Sequence, residues 1–98
     1  MKNYNVEISP EALNDIVDIV NFIYKKSRNK EVSLQIYDLL ISKCNSLELF
    51  PEIYQILFDN IRRLVVNPYS IFYEIIWDKV IIYRVLWNAE DYFNISFK

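Results

Sequence analysis

The apolar pattern of this chain changes its period near Pro51. From Pro10 to about Leu49 the apolar residues recur every three or four positions; beyond Asn60 they crowd into short β-branched and aromatic runs. The first period is that of amphipathic helices and the second that of strands. The first helix has a clear start in "SPEALNDIVDIVNFIYKK". Ser9 suits the N-cap, Pro10 the first helical position, and Glu11 and Asp15 the positive end of the helix dipole. Leu13, Ile16, Val17, Val20, Ile23 and Tyr24 form one apolar stripe. Lys25, Lys26 and Arg28 gather where cations are favoured and read as a solvated terminus ahead of a phosphate patch. A second helix is predicted from about Lys30 to Leu49, burying Val32, Ile36, Leu39, Leu40, Cys44 and Leu47, with Pro51 closing a helical hairpin.

Strands are predicted on either side of this hairpin. Before it, "NYNVEIS" alternates Tyr4, Val6 and Ile8 with polar neighbours. After it, "NIRRLVV", "YSIFYEIIW" and "KVIIYRVLW" are separated by the turns "NP" and "DK", a spacing that suits an antiparallel meander. The expected fold is α+β: an N-terminal strand, a helical hairpin packed on an antiparallel sheet, and a short C-terminal tail, as one domain over residues 1–98. In the last two strands both faces are apolar. Ile71, Tyr73 and Ile75 oppose Phe72 and Ile76; Ile82 and Leu86 oppose Ile81, Val85 and Trp87. One face packs on the hairpin, and the other needs a cover, either the tail from Asn88 to Lys98 or another chain.

Composition removes several chemistries. The 98 residues include no glycine and no histidine. Glycine-rich phosphate loops are therefore excluded, as are the commonest neutral-pH base and the commonest metal ligand. One cysteine, Cys44, permits no internal disulfide and reads as a small core residue. No metal and no cofactor is expected. Net charge is −2; residues 1–60 carry six basic and nine acidic groups (6 − 9 = −3) and residues 61–98 carry five and four (5 − 4 = +1). Any nucleic-acid contact would need a local patch. No apolar run approaches the roughly 20 residues of a membrane span, and Met1–Ser9 lacks a signal-peptide pattern. No membrane partner and a cytoplasmic location are expected.

The segment "IRRLVVNPYSIFYEIIWDKVIIYRVLWNAEDY" and the opening "VEISPEALNDIVDIVNFI" resemble the RelE/ParE superfamily of type II toxins. Arg63-Leu64, Tyr69, Ile71, Tyr73, Ile75, Val80, Ile82 and Val85 match its strand pattern, and the likeness spans essentially the whole chain. It implies a toxin neutralised by a cognate antitoxin. RNA-cleaving members cut mRNA on the ribosome with basic and tyrosine residues, a set able to take the 2′-hydroxyl proton, steady the phosphate and protonate the leaving oxygen. In this chain Arg63, Arg84 and Tyr92 are the candidates for catalysis if it is an RNase. Other positions depart from that pattern: Ser70 stands where relatives often carry arginine, and Trp87, Asn88, Ala89 and Glu90 replace histidine, glycine and basic residues. The departures point to the ParE-like branch, which acts on DNA gyrase and needs no nuclease site. The alternatives are a ribosome-dependent mRNA endonuclease and a detoxified antitoxin-binding member. The resemblance also suggests plasmid stabilisation and growth inhibition in a bacterial host.

Trp87, Phe72, Ile82, Leu86 and Arg62 are the candidate partner-binding residues. Arg62 and Arg63 are adjacent on a strand and point to opposite faces, which leaves one for a functional cation and the other to pair with a surface carboxylate. Arg84 reads either as a functional cation or as a structural arginine, snorkelling at a sheet margin or paired with Glu74 across the hairpin. Tyr73 and Tyr83 read as sheet aromatics before base-stacking platforms. Glu90 and Asp91 make a poor metal or acid–base pair, because adjacent side chains diverge. The assembly is left open between a homodimer and a toxin–antitoxin hetero-oligomer.

Overall fold

A computed structural model describes residues 3–88 and Phe97. In chain order it contains β1 (Asn5–Ile8), α1 (Pro10–Ser27), α2 (Lys30–Asn45), 3-10 turns at Ser46–Glu48 and Pro51–Ile53, β2 (Ile56–Phe58), β3 (Ile61–Val66), β4 (Tyr69–Ile76) and β5 (Lys79–Trp87). The five strands form one sheet in the order β1-β5-β4-β3-β2. The expected α+β architecture is present, with the helical hairpin on one face of the sheet.

The helix start follows the sequence closely. The Ser9 side chain accepts the Ala12 N–H at 3.0 Å, with Pro10 at the first helical position. The hairpin turn is made by two residues. Arg28 adopts a left-handed conformation and its N–H caps the Tyr24 carbonyl, while Asn29 Oδ1 accepts the N–H groups of Glu31 and Val32. Arginine fills a position where glycine is usual, as a glycine-free chain requires.

Three details differ from the sequence reading. The buried face of α1 is Ala12, Ile16 and Ile19, whereas Leu13, Val17 and Tyr24 are exposed. Both flanks of the helix are apolar, and small Ala12 lets the sheet approach closely, so the buried face is rotated from the stripe of larger residues. Regular α2 ends at Asn45, and a 3-10 turn carries Leu47 into the core; Val32 and Leu39 stay exposed. A three-residue strand, β2, also precedes the expected meander and pairs with β3.

β3, β4 and β5 form the antiparallel meander, while β1 lies parallel to β5, from Asn5 opposite Lys79 to Ile8 opposite Ile82. A parallel partner requires a crossover, here almost the whole chain between the two strands. The main core lies between helices and sheet, where Ala12, Ile16, Leu40, Cys44 and Leu47 meet Leu64, Ile71, Tyr73, Val80, Ile82 and Val85. A smaller core on the outer face joins Ile61, Phe72 and Leu86, with Leu57, Phe58, Tyr83 and Phe97 packed against it.

Candidate functional site

The features expected to carry function lie on β3, β4, β5 and the segment after β5. A register irregularity between β4 and β5 sets their geometry. Phe72 pairs with Arg84 but Tyr73 pairs with Ile82, so β5 has an extra residue there. A bulge of this kind shifts side-chain alternation. Ile82 therefore joins the helix-side core and Leu86 the outer core, although the two are four residues apart. Strict alternation would have put them on one face.

The start of α1 is fastened to this bulge. Ser9 N–H donates to the Ile82 carbonyl at 3.0 Å, and its hydroxyl donates to the Tyr83 carbonyl at 3.0 Å. Further along α1, Asp15 receives Arg84 in a two-pronged ion pair, Nε to Oδ2 at 2.7 Å and Nη2 to Oδ1 at 2.8 Å. Asp15 Oδ2 also accepts the Val85 N–H at 3.0 Å. The two side chains are 25% and 13% exposed. The cross-hairpin position that one reading gave to Glu74 is not opposite Arg84: the register puts Phe72 opposite Arg84 and Ile81 opposite Glu74. Glu74 accepts the Tyr83 hydroxyl at 2.9 Å.

Arg62 is engaged with main-chain oxygens. Its Nη1 donates to the carbonyls of Glu52 at 2.8 Å and Tyr54 at 2.7 Å, holding the segment after the second 3-10 turn against the sheet. Tyr73 anchors the same segment from below, its hydroxyl donating to the Pro51 carbonyl at 2.7 Å. The expected pairing of one of Arg62 and Arg63 with a surface carboxylate is replaced, for Arg62, by carbonyl contacts. Arg63 stands opposite Phe72 in the β3–β4 register and so shares the outer face.

Ser70 is buried and is part of a polar clamp at the other end of the sheet. Its hydroxyl donates to Asn88 Oδ1, and Asn88 Nδ2 donates to Asn67 Oδ1 at 2.7 Å. Asn88 N–H also donates to the Pro68 carbonyl at 2.9 Å. The position where RNA-cleaving relatives often place arginine thus ties β4 to the turns beside it. Tyr92, Ala89 and Glu90 lie outside the described residues.

Three tyrosines of β4 and β5 are poorly suited to taking a proton. Burial first, then the hydrogen bond to Glu74, pushes the Tyr83 phenol up to about 12. Burial raises Tyr73 and Tyr69 as well. A general base works best with a pKa near the operating pH, so these groups remain protonated near neutrality. Among the described residues no group of three His, Cys, Asp or Glu side chains could hold a metal ion. Nor is any described helix long and apolar enough to cross a membrane.

The five candidate partner-binding residues do not share one surface. Phe72 and Leu86 belong to the outer core, and Ile82 is buried under the helices. Trp87 packs on the helix side, its ring centroid 4.7 Å from that of Tyr69 and 5.4 Å from that of Phe22. The cover anticipated for the outer face comes in part from the chain itself. Phe97 stands 5.0 Å from Phe72 and 5.7 Å from Phe58, centroid to centroid.

Sequence comparison decides what this arrangement belongs to. The family model for the ParE toxin of the type II toxin–antitoxin system parDE matches residues 6–92. The chain belongs to this ParE toxin family. One solved structure, described as the chromosomal ParDE TA system from P. aeruginosa, superposes with a TM-score of 0.77 at 13% identity, over 86% of this chain and 95% of that one. At that identity the ParDE likeness is one of fold. No curated protein sequence matches significantly. Membership of the ParE family makes the chain a toxin-type component with an antitoxin partner; in it Arg84 is held by the part-buried pair with Asp15, and Ser70 by the Asn88 clamp.

Proposed function

We propose that this ParE-family toxin inhibits DNA gyrase by protein–protein contact and is neutralised by its cognate antitoxin in the bacterial cytoplasm, where it serves growth inhibition and plasmid stabilisation. The observation that carries this reading is the engagement of two strand cations, Arg62 and Arg84. Arg84 is bound by Asp15, Arg62 by two main-chain carbonyls, and the Ser70 position supplies a polar clamp in place of a cation. Phosphodiester cleavage needs cations aimed at the developing charge, whereas blocking an enzyme by contact needs only a shaped surface. The exposed flank of the hairpin, with Leu13, Val17 and Tyr24, offers an antitoxin helix an apolar seat, and the short edge strand β2 offers a strand-addition site.

The test is inducible expression without antitoxin, followed by growth, mRNA integrity and DNA-damage signalling. Growth arrest with damage signalling and intact mRNA is the expected outcome. Rapid cleavage of translated mRNA would establish the endonuclease reading, with Arg63, Arg84 and Tyr92 as the residues to substitute. Unimpaired growth would reduce the role to antitoxin binding.

A further inference from the structure

The end of the sheet that holds the β2–β3 and β4–β5 turns is the most exposed apolar part of the described molecule. Trp77, in the β4–β5 turn, is 89% exposed. The segment from Ser46 to Tyr54 crosses the same end. It is tied to the chain ahead of β1 where Tyr4 N–H donates to the Glu48 carbonyl at 2.8 Å, and to β3 through Arg62 on the Glu52 and Tyr54 carbonyls. Since β5 and β4 lie between β1 and β3, the segment passes the strand ends from which the Trp77 turn emerges. It brings Phe50, 55% exposed, and Ile53, 71% exposed, to this end.

Two of these residues are also strained. Phe50 and Trp77 have φ of 53° and 57°, a left-handed conformation that bulky L-residues avoid and that asparagine or glycine adopts readily. The other described positive-φ residues are Asp59 and Asn60 in the β2–β3 turn and Arg28 in the helical hairpin, so Phe50 and Trp77 are the two bulky aromatics in this conformation. Neither aromatic residue gains burial in exchange. Strained backbone under exposed apolar side chains is a mark of function at the expense of local stability.

The charges nearby select the partner. Glu48, Glu52, Asp59 and Asp78 are acidic. Among the bases, Lys79 lies 3.3 Å from Glu7, Arg62 is turned onto carbonyls, and Arg63 stands opposite Phe72 on the outer face of the sheet. This balance repels nucleic acid and anionic lipid, and it favours a cation stacked on an indole. We propose that Trp77, Phe50 and Ile53 form the surface by which this toxin engages its target protein, and that the partner presents an arginine or lysine beside apolar residues, with the cation against Trp77. This deepens the contact-inhibition reading and assigns it a surface separate from the Phe72–Leu86 outer face.

The test uses the full chain with Trp77→Asn, Phe50→Asn and Asp78→Lys. Each is expressed inducibly to follow growth, and each is purified to record its melting temperature and its inhibition of gyrase holoenzyme supercoiling. Trp77→Asn and Phe50→Asn should melt at or above the wild-type temperature, since asparagine relieves the left-handed strain. Trp77→Asn should nevertheless weaken inhibition roughly 30-fold, the loss expected of an interface tryptophan. Asp78→Lys should weaken it several-fold by repelling the partner's cation. Loss of growth arrest in Trp77→Asn while wild type leaves gyrase unaffected would keep this surface and exclude gyrase as the target. A Trp77→Asn chain as toxic as wild type, a wild-type chain without toxicity, or a lowered melting temperature in Trp77→Asn would each overturn the proposal.

Discussion

Replacing Asp15 with asparagine should destabilise the toxin substantially, although the shape of the residue is kept. Asparagine can still accept the Val85 N–H through one oxygen, but it cannot neutralise the guanidinium that now sits 2.7 and 2.8 Å from the carboxylate. Breaking a fully buried ion pair costs roughly 3–5 kcal/mol. With Arg84 25% and Asp15 13% exposed, water recovers part of that loss, and about 2–3 kcal/mol is expected. For a domain of this size that lowers the midpoint by about 10–20 °C. The assay is urea and thermal unfolding at neutral pH, followed by circular dichroism. Arg84→Met should show a comparable loss, because it leaves Asp15 charged and half-enclosed. The double variant Asp15→Asn/Arg84→Met, which removes both charges and keeps an acceptor for the Val85 N–H, should cost clearly less than the two single variants added together. If Asp15→Asn costs less than about 0.5 kcal/mol, or if the double variant is the sum of the singles, Arg84 is not held as described. It would then return as a candidate for phosphate chemistry.

Three further expectations follow from the same packing. Cys44 is fully buried and burial pushes its thiol up to about 12, so a thiol reagent at pH 8 should label it only after unfolding; rapid stoichiometric labelling of the native chain would contradict the core assignment. The Tyr83 phenol rises from 10.0 to about 12. A raised pKa means that its contribution is complete below the unfolded value and is lost as pH climbs through the folded one. The stability difference between wild type and Tyr83→Phe should therefore shrink between pH 10 and 12 in chemical denaturation, and a flat difference would refute the assignment. Ser70→Arg should restore the cation found in RNA-cleaving relatives yet gain no RNA cleavage. It should also lose about 3 kcal/mol or more, because a charge would enter a buried clamp; a stable Ser70→Arg with new nuclease activity would reverse the functional reading.

Much of the fold was legible because local signals agreed with one another. Ser9 and Pro10 mark the helix start from sequence alone, and the meander is written in β-branched and aromatic runs that lack the three-to-four spacing of a helix. What the residues concealed were consequences of long-range packing. Nothing near Asn5 states that it will lie parallel to Lys79, 74 positions later in the chain. The buried face of α1 was hidden by apolar residues on both flanks, and the decisive residue, Ala12, carries almost no hydrophobic signal. The bulge in β5 had the largest effect on the candidate site. One extra residue separates Ile82 from Leu86 and gives Arg84 a partner on a helix that the sequence links only to its own dipole. Asp15 was visible as an acid near the helix start, but its grip on Arg84 and on the Val85 N–H required the tertiary structure. Trp77 and Phe50 were equally invisible as a pair, since positive φ at a non-glycine residue leaves no trace in composition.

Gyrase supercoiling in the presence of the purified toxin decides between contact inhibition and RNA chemistry. The prediction is that supercoiling of relaxed plasmid falls in proportion to added toxin, recovers when the cognate antitoxin is supplied, and is accompanied by no cleavage of ribosome-bound mRNA. Undiminished supercoiling together with codon-by-codon cleavage of translated mRNA would contradict it.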